Sequence, residues 1–171
     1  AQYIMTTLEE LGLLKMDFLG LRNLTVLEDA ARQVRRREPG FQVERIPLDD
    51  KKTFDMLAAG RTVGVFQLES AGITAVCMGL RPRSIEDITA VIALYRPGPM
   101  ESIPRFLACS AHPERITYKH PLLEPILSVT YGCIVYQEQV IEIFRQLAGF
   151  SLGQADMIRR AMSKKKEAVI T

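Results

Sequence analysis

Proline limits what the middle of this chain can be. Six of its nine prolines, Pro97, Pro99, Pro104, Pro113, Pro121 and Pro125, fall between residues 97 and 130, together with both histidines. Each ring locks φ and removes a backbone N–H, so neither a long helix nor a central strand can run through them. The sequence therefore predicts a mostly irregular middle with short helices, and places the longer periodic segments on either side.

Those segments read mainly as helix. Leu24, Leu27, Ala31 and Val34 recur at three- and four-residue steps and predict a helix over 22–37 that stops before Glu38-Pro39-Gly40. Pro47-Leu48-Asp49-Asp50 offers a turn and an N-cap to a short helix ending near Gly60. Ser84-x-x-Asp87 is a capping-box-like start for a helix that must end near Tyr95, because Pro97 follows Arg96. Gln137–Ala148 places Val140, Ile141, Phe144 and Leu147 on one face and closes on Gly149; Ser151-x-x-Gln154 caps a last helix running to a triple lysine.

Strand signals are fewer. Leu11–Leu19 alternates, with Leu14, Met16 and Phe18 on one side and Lys15 and Asp17 on the other, until Gly20 ends it. Val63–Leu68 is a short apolar run rich in strand formers, and Tyr131–Tyr136 fits a strand. The expected fold class is mainly α with a few short strands (α+β). The first strand has no obvious partner, and a lone edge strand needs a sheet to join, so the chain reads as a piece of something larger.

Composition excludes whole classes. A length of 171 residues, 47% hydrophobic and 25% charged, suits one globular domain rather than a disordered chain. No run approaches the roughly 20 apolar residues of a membrane span, so no membrane partner is expected. Lys+Arg at 22 against Asp+Glu at 20 leaves net +2, so a charged partner must be argued from local clusters. Cys77, Cys109 and Cys133 are dispersed, and no signal peptide precedes them; both features fit a reduced, cytoplasmic setting. His112 and His120 lack ligand spacing for zinc, and neither G-x-S-x-G nor a glycine-rich phosphate loop occurs.

Three constellations could carry chemistry. On a strand, Lys15 and Asp17 project from one face about 7 Å apart, since each residue rises about 3.3 Å. They form either a structural ion pair at a sheet edge or a Mg²⁺-binding carboxylate beside a phosphate-binding lysine. Residues 159–166 hold five basic side chains in eight positions. At helical spacing Ala155, Ile158 and Met162 share a stripe, Arg160 and Lys164 stand away from it and Arg159 sits on its flank. Such a ridge suits phosphates, or else is a solvated helix terminus. Finally, Leu94-Tyr95-Arg96-Pro97-Gly98-Pro99 either fixes a loop that presents Arg96 or merely caps a helix.

Five blocks in this order resemble the bacterial DNA polymerase III alpha subunit family, the C-family replicative polymerases. They are Leu14-Lys15-Met16-Asp17-Phe18-Leu19-Gly20-Leu21, Val65-Phe66-Gln67-Leu68-Glu69-Ser70, Arg96-Pro97-Gly98-Pro99, Tyr131-Gly132 through Val135-Tyr136-Gln137-Glu138-Gln139, and Arg159-Arg160-Ala161-Met162 followed by Lys164-Lys165-Lys166. Ser163 stands where the family usually has Gly. The resemblance implies that residues 1–20 are the C-terminal end of a palm, with one orphan catalytic strand, and that 21–171 begin the helical fingers. It implies a two-metal Mg²⁺ polymerase in which Asp17 matches the third metal-binding carboxylate, the other two lying on an upstream Asp-x-Asp motif. Lys15, Arg96, Arg159, Arg160 and Lys164 become candidates for nucleotide or DNA phosphates. The implied partners are primer-template DNA, deoxynucleoside triphosphates and, for the whole protein, the sliding clamp and other replisome subunits at the bacterial nucleoid. With one carboxylate the chain alone should be inactive. The rival readings are a non-catalytic nucleic-acid-binding helical module, using only the basic helix, and a merely structural helical domain.

Overall fold

A computed structural model of the chain describes residues 2–14 and 16–163. Lys15 and Lys164, Lys165 and Lys166 lie outside the described residues. The chain divides into two compact units, Ala1–Ile46 and Pro47–Thr171.

The first unit is built on α1, Met5–Glu10, and α2, Arg22–Arg35. Gly12, at φ +73°, turns the chain after α1, and residues 16–20 form neither helix nor strand. The three-and-four spacing does produce α2, and it stops ahead of Pro39 as expected. Arg35 fastens its exit: Nη1 donates to Glu28 Oε1 at 2.8 Å, while Nε donates to the Phe41 carbonyl at 3.0 Å. Ala31 is buried, but Leu24, Leu27 and Val34 on the same face remain exposed.

The second unit assembles around α4, Ala71–Leu80, which packs against α3, Lys51–Ala58, α5, Ile85–Leu94, and α6, Ile103–Ala111. Leu57, Ile73, Val76, Cys77, Val91, Leu94 and Phe106 form the centre of one apolar cluster. Each fully buried Leu or Phe contributes about 1.5–3 kcal/mol before ordering costs are met. Asp50 caps α3 by accepting from the Thr53 N–H at 3.0 Å and its hydroxyl at 2.6 Å. Gly72 allows close packing, since a Cβ there would lie 1.9 Å from the Tyr95 hydroxyl.

The prolines start helices instead of only breaking them. Pro99, Pro104, Pro113, Pro121 and Pro125 each occupy the first turn of a short 3₁₀ or α segment, where a missing N–H costs nothing. The last of these is α7, Glu124–Leu127, and α8, Gln137–Ala148, and α9, Leu152–Ser163, close the unit as a hairpin.

The strand expectations fail among the described residues. Residues 11–14 and 16–20 contain a turn and irregular backbone, with Phe18 and Leu19 each 93% exposed. Alternation makes a strand only when a neighbour completes the hydrogen-bond ladder, and none does so here. Val63–Leu68 folds into consecutive tight turns, closed by Val65 N–H to the Thr62 carbonyl and Leu68 N–H to the Val65 carbonyl, both 3.0 Å. Gln67 adopts a left-handed φ of 65° within them. Tyr131–Tyr136 is a connection pinned by side chains. Gln139 Oε1 accepts from the N–H groups of Val135 and Tyr136 at 2.8 and 2.9 Å, using donors that a ladder would need.

Candidate functional site

The basic helix α9 is set by its own first turn. Ser151 N–H donates to Gln154 Oε1 at 2.9 Å and Gln154 N–H returns to Ser151 Oγ at 3.4 Å, the cap its sequence predicts. Gly149, at φ +70°, closes α8, and the Phe144 and Phe150 rings stack 6.0 Å apart across the turn. The buried stripe of α9 departs from the one its sequence suggests. Ala155 and Ala161 are buried and Ile158 is half-buried, whereas Met162 is exposed. Arg159 already reaches Gln137, the first residue of α8, so Met162 lies beyond that partner's end.

On the other side stands a compact ionic cluster. Asp156 Oδ1 accepts from both Arg159 Nε at 2.9 Å and Nη2 at 2.7 Å, one oxygen shared by two charge-assisted donors. Arg160 Nε meets the second oxygen, Oδ2, at 2.7 Å. Arg159 Nη1 donates to Gln137 Oε1 at 2.7 Å, linking α9 to the start of α8. The two arginines differ in access: the Arg159 side chain is 17% exposed and that of Arg160 is 69% exposed. The hydrogen bond from Arg159, with the charges of Arg160 and Arg159 beside it, holds the Asp156 carboxyl below its ordinary range.

Of the residues singled out in sequence, the structure thus joins Arg159 and Arg160. Arg96 is exposed on the loop leaving α5; its N–H donates to the Leu94 carbonyl at 2.8 Å, and Gly98 turns the chain at φ +97°. Asp17 is exposed in the first unit. Among the described residues no group of three or more His, Cys, Asp or Glu side chains gathers as a metal site. Asp17 carries a carboxylate, the type of oxygen donor that Mg²⁺ takes.

Sequence reasoning passed over Asp156, although its place three and four residues before two arginines is a readable helix-pair signal. Gln137 and Gln139 both lie in the first turn of α8, but the structure separates their roles. Gln137 serves Arg159, while Gln139 turns inward, 6% exposed, and donates to the Ile126 carbonyl at 3.1 Å and Thr130 Oγ1 at 2.7 Å. Thr130 in turn donates to the Cys133 carbonyl at 2.6 Å, so this buried polar group is satisfied on every side.

Comparison with known proteins converges on one family. The family described as bacterial DNA polymerase III alpha subunit finger domain matches residues 23–171. The chain is 57% identical over 166 residues to a protein of Halalkalibacterium halodurans named DNA polymerase III subunit alpha, covering 96% of this chain and 15% of that protein. Proteins of the same name from Staphylococcus epidermidis (52% over 170 residues, 99% and 16% covered) and Borreliella burgdorferi (53% over 166 residues, 97% and 14%) are similarly close. The chain therefore spans only 14–16% of the length of these relatives. With a match over this much of its length, the chain belongs to the bacterial DNA polymerase III alpha subunit finger domain family.

Proposed function

We propose that this chain is the beginning of the fingers of a replicative DNA-directed DNA polymerase, which as a whole protein adds deoxynucleotides to a primer 3′-end by two-metal phosphoryl transfer. Residues 21–171 are assigned to the N-terminal part of the fingers and residues 1–20 to the C-terminal end of the palm. The observation that carries this reading is the guanidinium pair of Arg159 and Arg160 on α9, within the span matched by the family. Phosphoryl transfer is largely positioning and charge stabilisation, and an organised cationic helix face provides both.

In this reading the positive charge of Arg159, Arg160 and Lys164 draws in the triphosphate or template, with Lys15 and Arg96 as further phosphate contacts. Asp17 supplies one carboxylate to Mg²⁺. Mg²⁺ held there would supply Lewis-acid chemistry, which would make a primer 3′-hydroxyl more acidic and stabilise a departing pyrophosphate. One carboxylate does not hold two cations, so the isolated chain is expected to be inactive. Primer-template DNA, deoxynucleoside triphosphates, the sliding clamp and other replisome subunits are the partners of the whole protein, in the bacterial cytoplasm at the nucleoid.

The decisive experiment uses the complete subunit. Asp17→Asn removes nucleotide incorporation and leaves DNA binding nearly intact; lost binding with retained incorporation overturns the metal-ligand role. Primer extension by the purified 171-residue chain would refute its inactivity. Strong, steeply salt-dependent DNA binding by that chain would favour a non-catalytic nucleic-acid-binding helical module instead.

A further inference from the structure

We propose that the second unit carries a binding cleft for a small monocarboxylate with an apolar body. The cleft holds about 320 Å³, at the small end of ligand pockets, and opens between the first turn of α6, the linker before α7 and the connection into α8. No residue of α9 lines it. Its lining changes from apolar to charged with exposure. Leu127 and Cys133, both buried, and half-buried Leu123 make an apolar floor, while Arg105 and Lys119 stand exposed at the mouth.

The backbone holds the walls in place. Gly132 sits at φ +77°, and a Cβ there would lie 2.9 Å from Ile116 Cγ2 and 3.9 Å from Tyr118 Cε1. Glycine thus lets the connection before α8 press against the linker that carries Tyr118 and Lys119. The Gly132 N–H donates to the Leu127 carbonyl at 2.9 Å and fixes that wall to α7. Across the mouth, Arg105 Nη2 reaches the Thr117 carbonyl only at 3.5 Å, the outer limit of a hydrogen bond. Neither Arg105 nor Lys119 forms an ion pair among the described residues.

These features select an anion with a hydrocarbon body. No Asp or Glu lines the cleft among the described residues; Glu124, whose charge reaches the Tyr118 phenol, lies outside the lining. The planar fork of Arg105 matches a carboxylate, and Lys119 adds a second positive charge beside it. A polyphosphate would strand its charges over the apolar floor, and a plain hydrocarbon would leave both cations unused. A carboxylate at the mouth with an aromatic or branched aliphatic body on Leu123, Leu127 and Cys133 uses both halves.

The test is calorimetric titration of the complete polymerase subunit with 2-naphthoate and, as the neutral control, 2-naphthamide. Naphthoate binds saturably with a Kd of about 1 mM or tighter, what an ordinary ligand of its size achieves. The amide binds about tenfold more weakly. Arg105→Gln and Lys119→Gln each weaken naphthoate about three- to tenfold, the modest scale of exposed charges, and leave the amide unchanged. If Arg105→Gln lowers the melting temperature through its Thr117 contact, Lys119→Gln decides the matter alone. Absence of saturation, equal affinity for acid and amide, or indifference to both substitutions overturns the proposal. Displacement of naphthoate by a single-stranded oligonucleotide also overturns it, since the two cations would then serve a nucleic-acid backbone. Nucleotide incorporation is not read, so the result does not depend on the phosphate roles given to α9.

Discussion

The Tyr131 hydroxyl donates to Asp87 Oδ1 at 2.9 Å, joining residues 44 positions apart. Asp87 is 8% exposed, and its other oxygen accepts from the Arg83 N–H at 2.9 Å, so one carboxylate secures both the entry to α5 and the loop before α8. Tyr131 holds a left-handed φ of 52° to make this contact, and its ring meets Phe106 edge-on with centroids 5.1 Å apart. Here a tertiary hydrogen bond and an aromatic contact outweigh the local preference of an L-residue.

Tyr131→Phe should therefore destabilise the fold. It keeps the ring against Phe106 and removes only the donor to a buried carboxylate, a change worth about 1.5–3 kcal/mol. Urea denaturation should show a lower midpoint at unchanged slope. An unshifted midpoint would mean that the Arg83 N–H and solvent already satisfy Asp87.

Alkaline pH should weaken the protein through the same residue. Burial, reinforced by the neighbouring Asp87 carboxylate, raises the Tyr131 phenol above its ordinary value of 10.0, and burial raises Tyr136 in the same direction. The folded state thus holds these protons more tightly than the unfolded chain. The stabilisation is complete below about pH 10 and disappears as pH rises through the folded values. Denaturation midpoints measured on either side of that range should fall, and the fall should be shallower in Tyr131→Phe.

What the sequence made readable was local. The Asp50, Ser84 and Ser151 caps, the Gly149 stop and the break before Pro39 all involve residues a few positions apart, and α2, α3, α5, α8 and α9 begin or end close to them. The strands were misread because Val63–Leu68 and Tyr131–Tyr136 have strand-forming residues but no ladder partner, and pairing is not a property of the segment itself. Within the site, Asp156 was readable from spacing, whereas the bond from Arg159 to Gln137 depends on a helical hairpin folding back and carries no local mark.

Gln139 should be among the least replaceable residues of the second unit. Its amide receives two backbone N–H groups and donates to the Ile126 carbonyl and Thr130 Oγ1. Gln139→Leu would leave these groups unmatched beside a buried apolar side chain, at about 1–3 kcal/mol for each one that water cannot reach. The expected result is a melting transition lowered by more than that of Tyr131→Phe, with hydrogen exchange accelerated first at Val135 and Tyr136. Thr130→Val, which removes one member only, should fall between the two.

Arg81 offers a test of opposite sign. It ends α4 in a left-handed conformation, φ 54° and ψ 67°, with its N–H donating to the Cys77 carbonyl at 2.8 Å. That is the helix stop glycine makes without a Cβ penalty, and the Arg81 side chain is exposed. The left-handed cost of roughly 1–2 kcal/mol for an L-residue is partly offset by the extra freedom glycine gives the unfolded chain. Arg81→Gly should consequently stabilise the protein by about 0.5–1 kcal/mol, raising the melting temperature by about 1–4 °C. Tyr131→Gly, at the same kind of backbone conformation, should do the reverse, because it discards the Asp87 hydrogen bond and the Phe106 contact that hold Tyr131 there. If both substitutions shifted the melting temperature the same way, backbone strain alone would govern these positions, and the tertiary account of Tyr131 would be wrong.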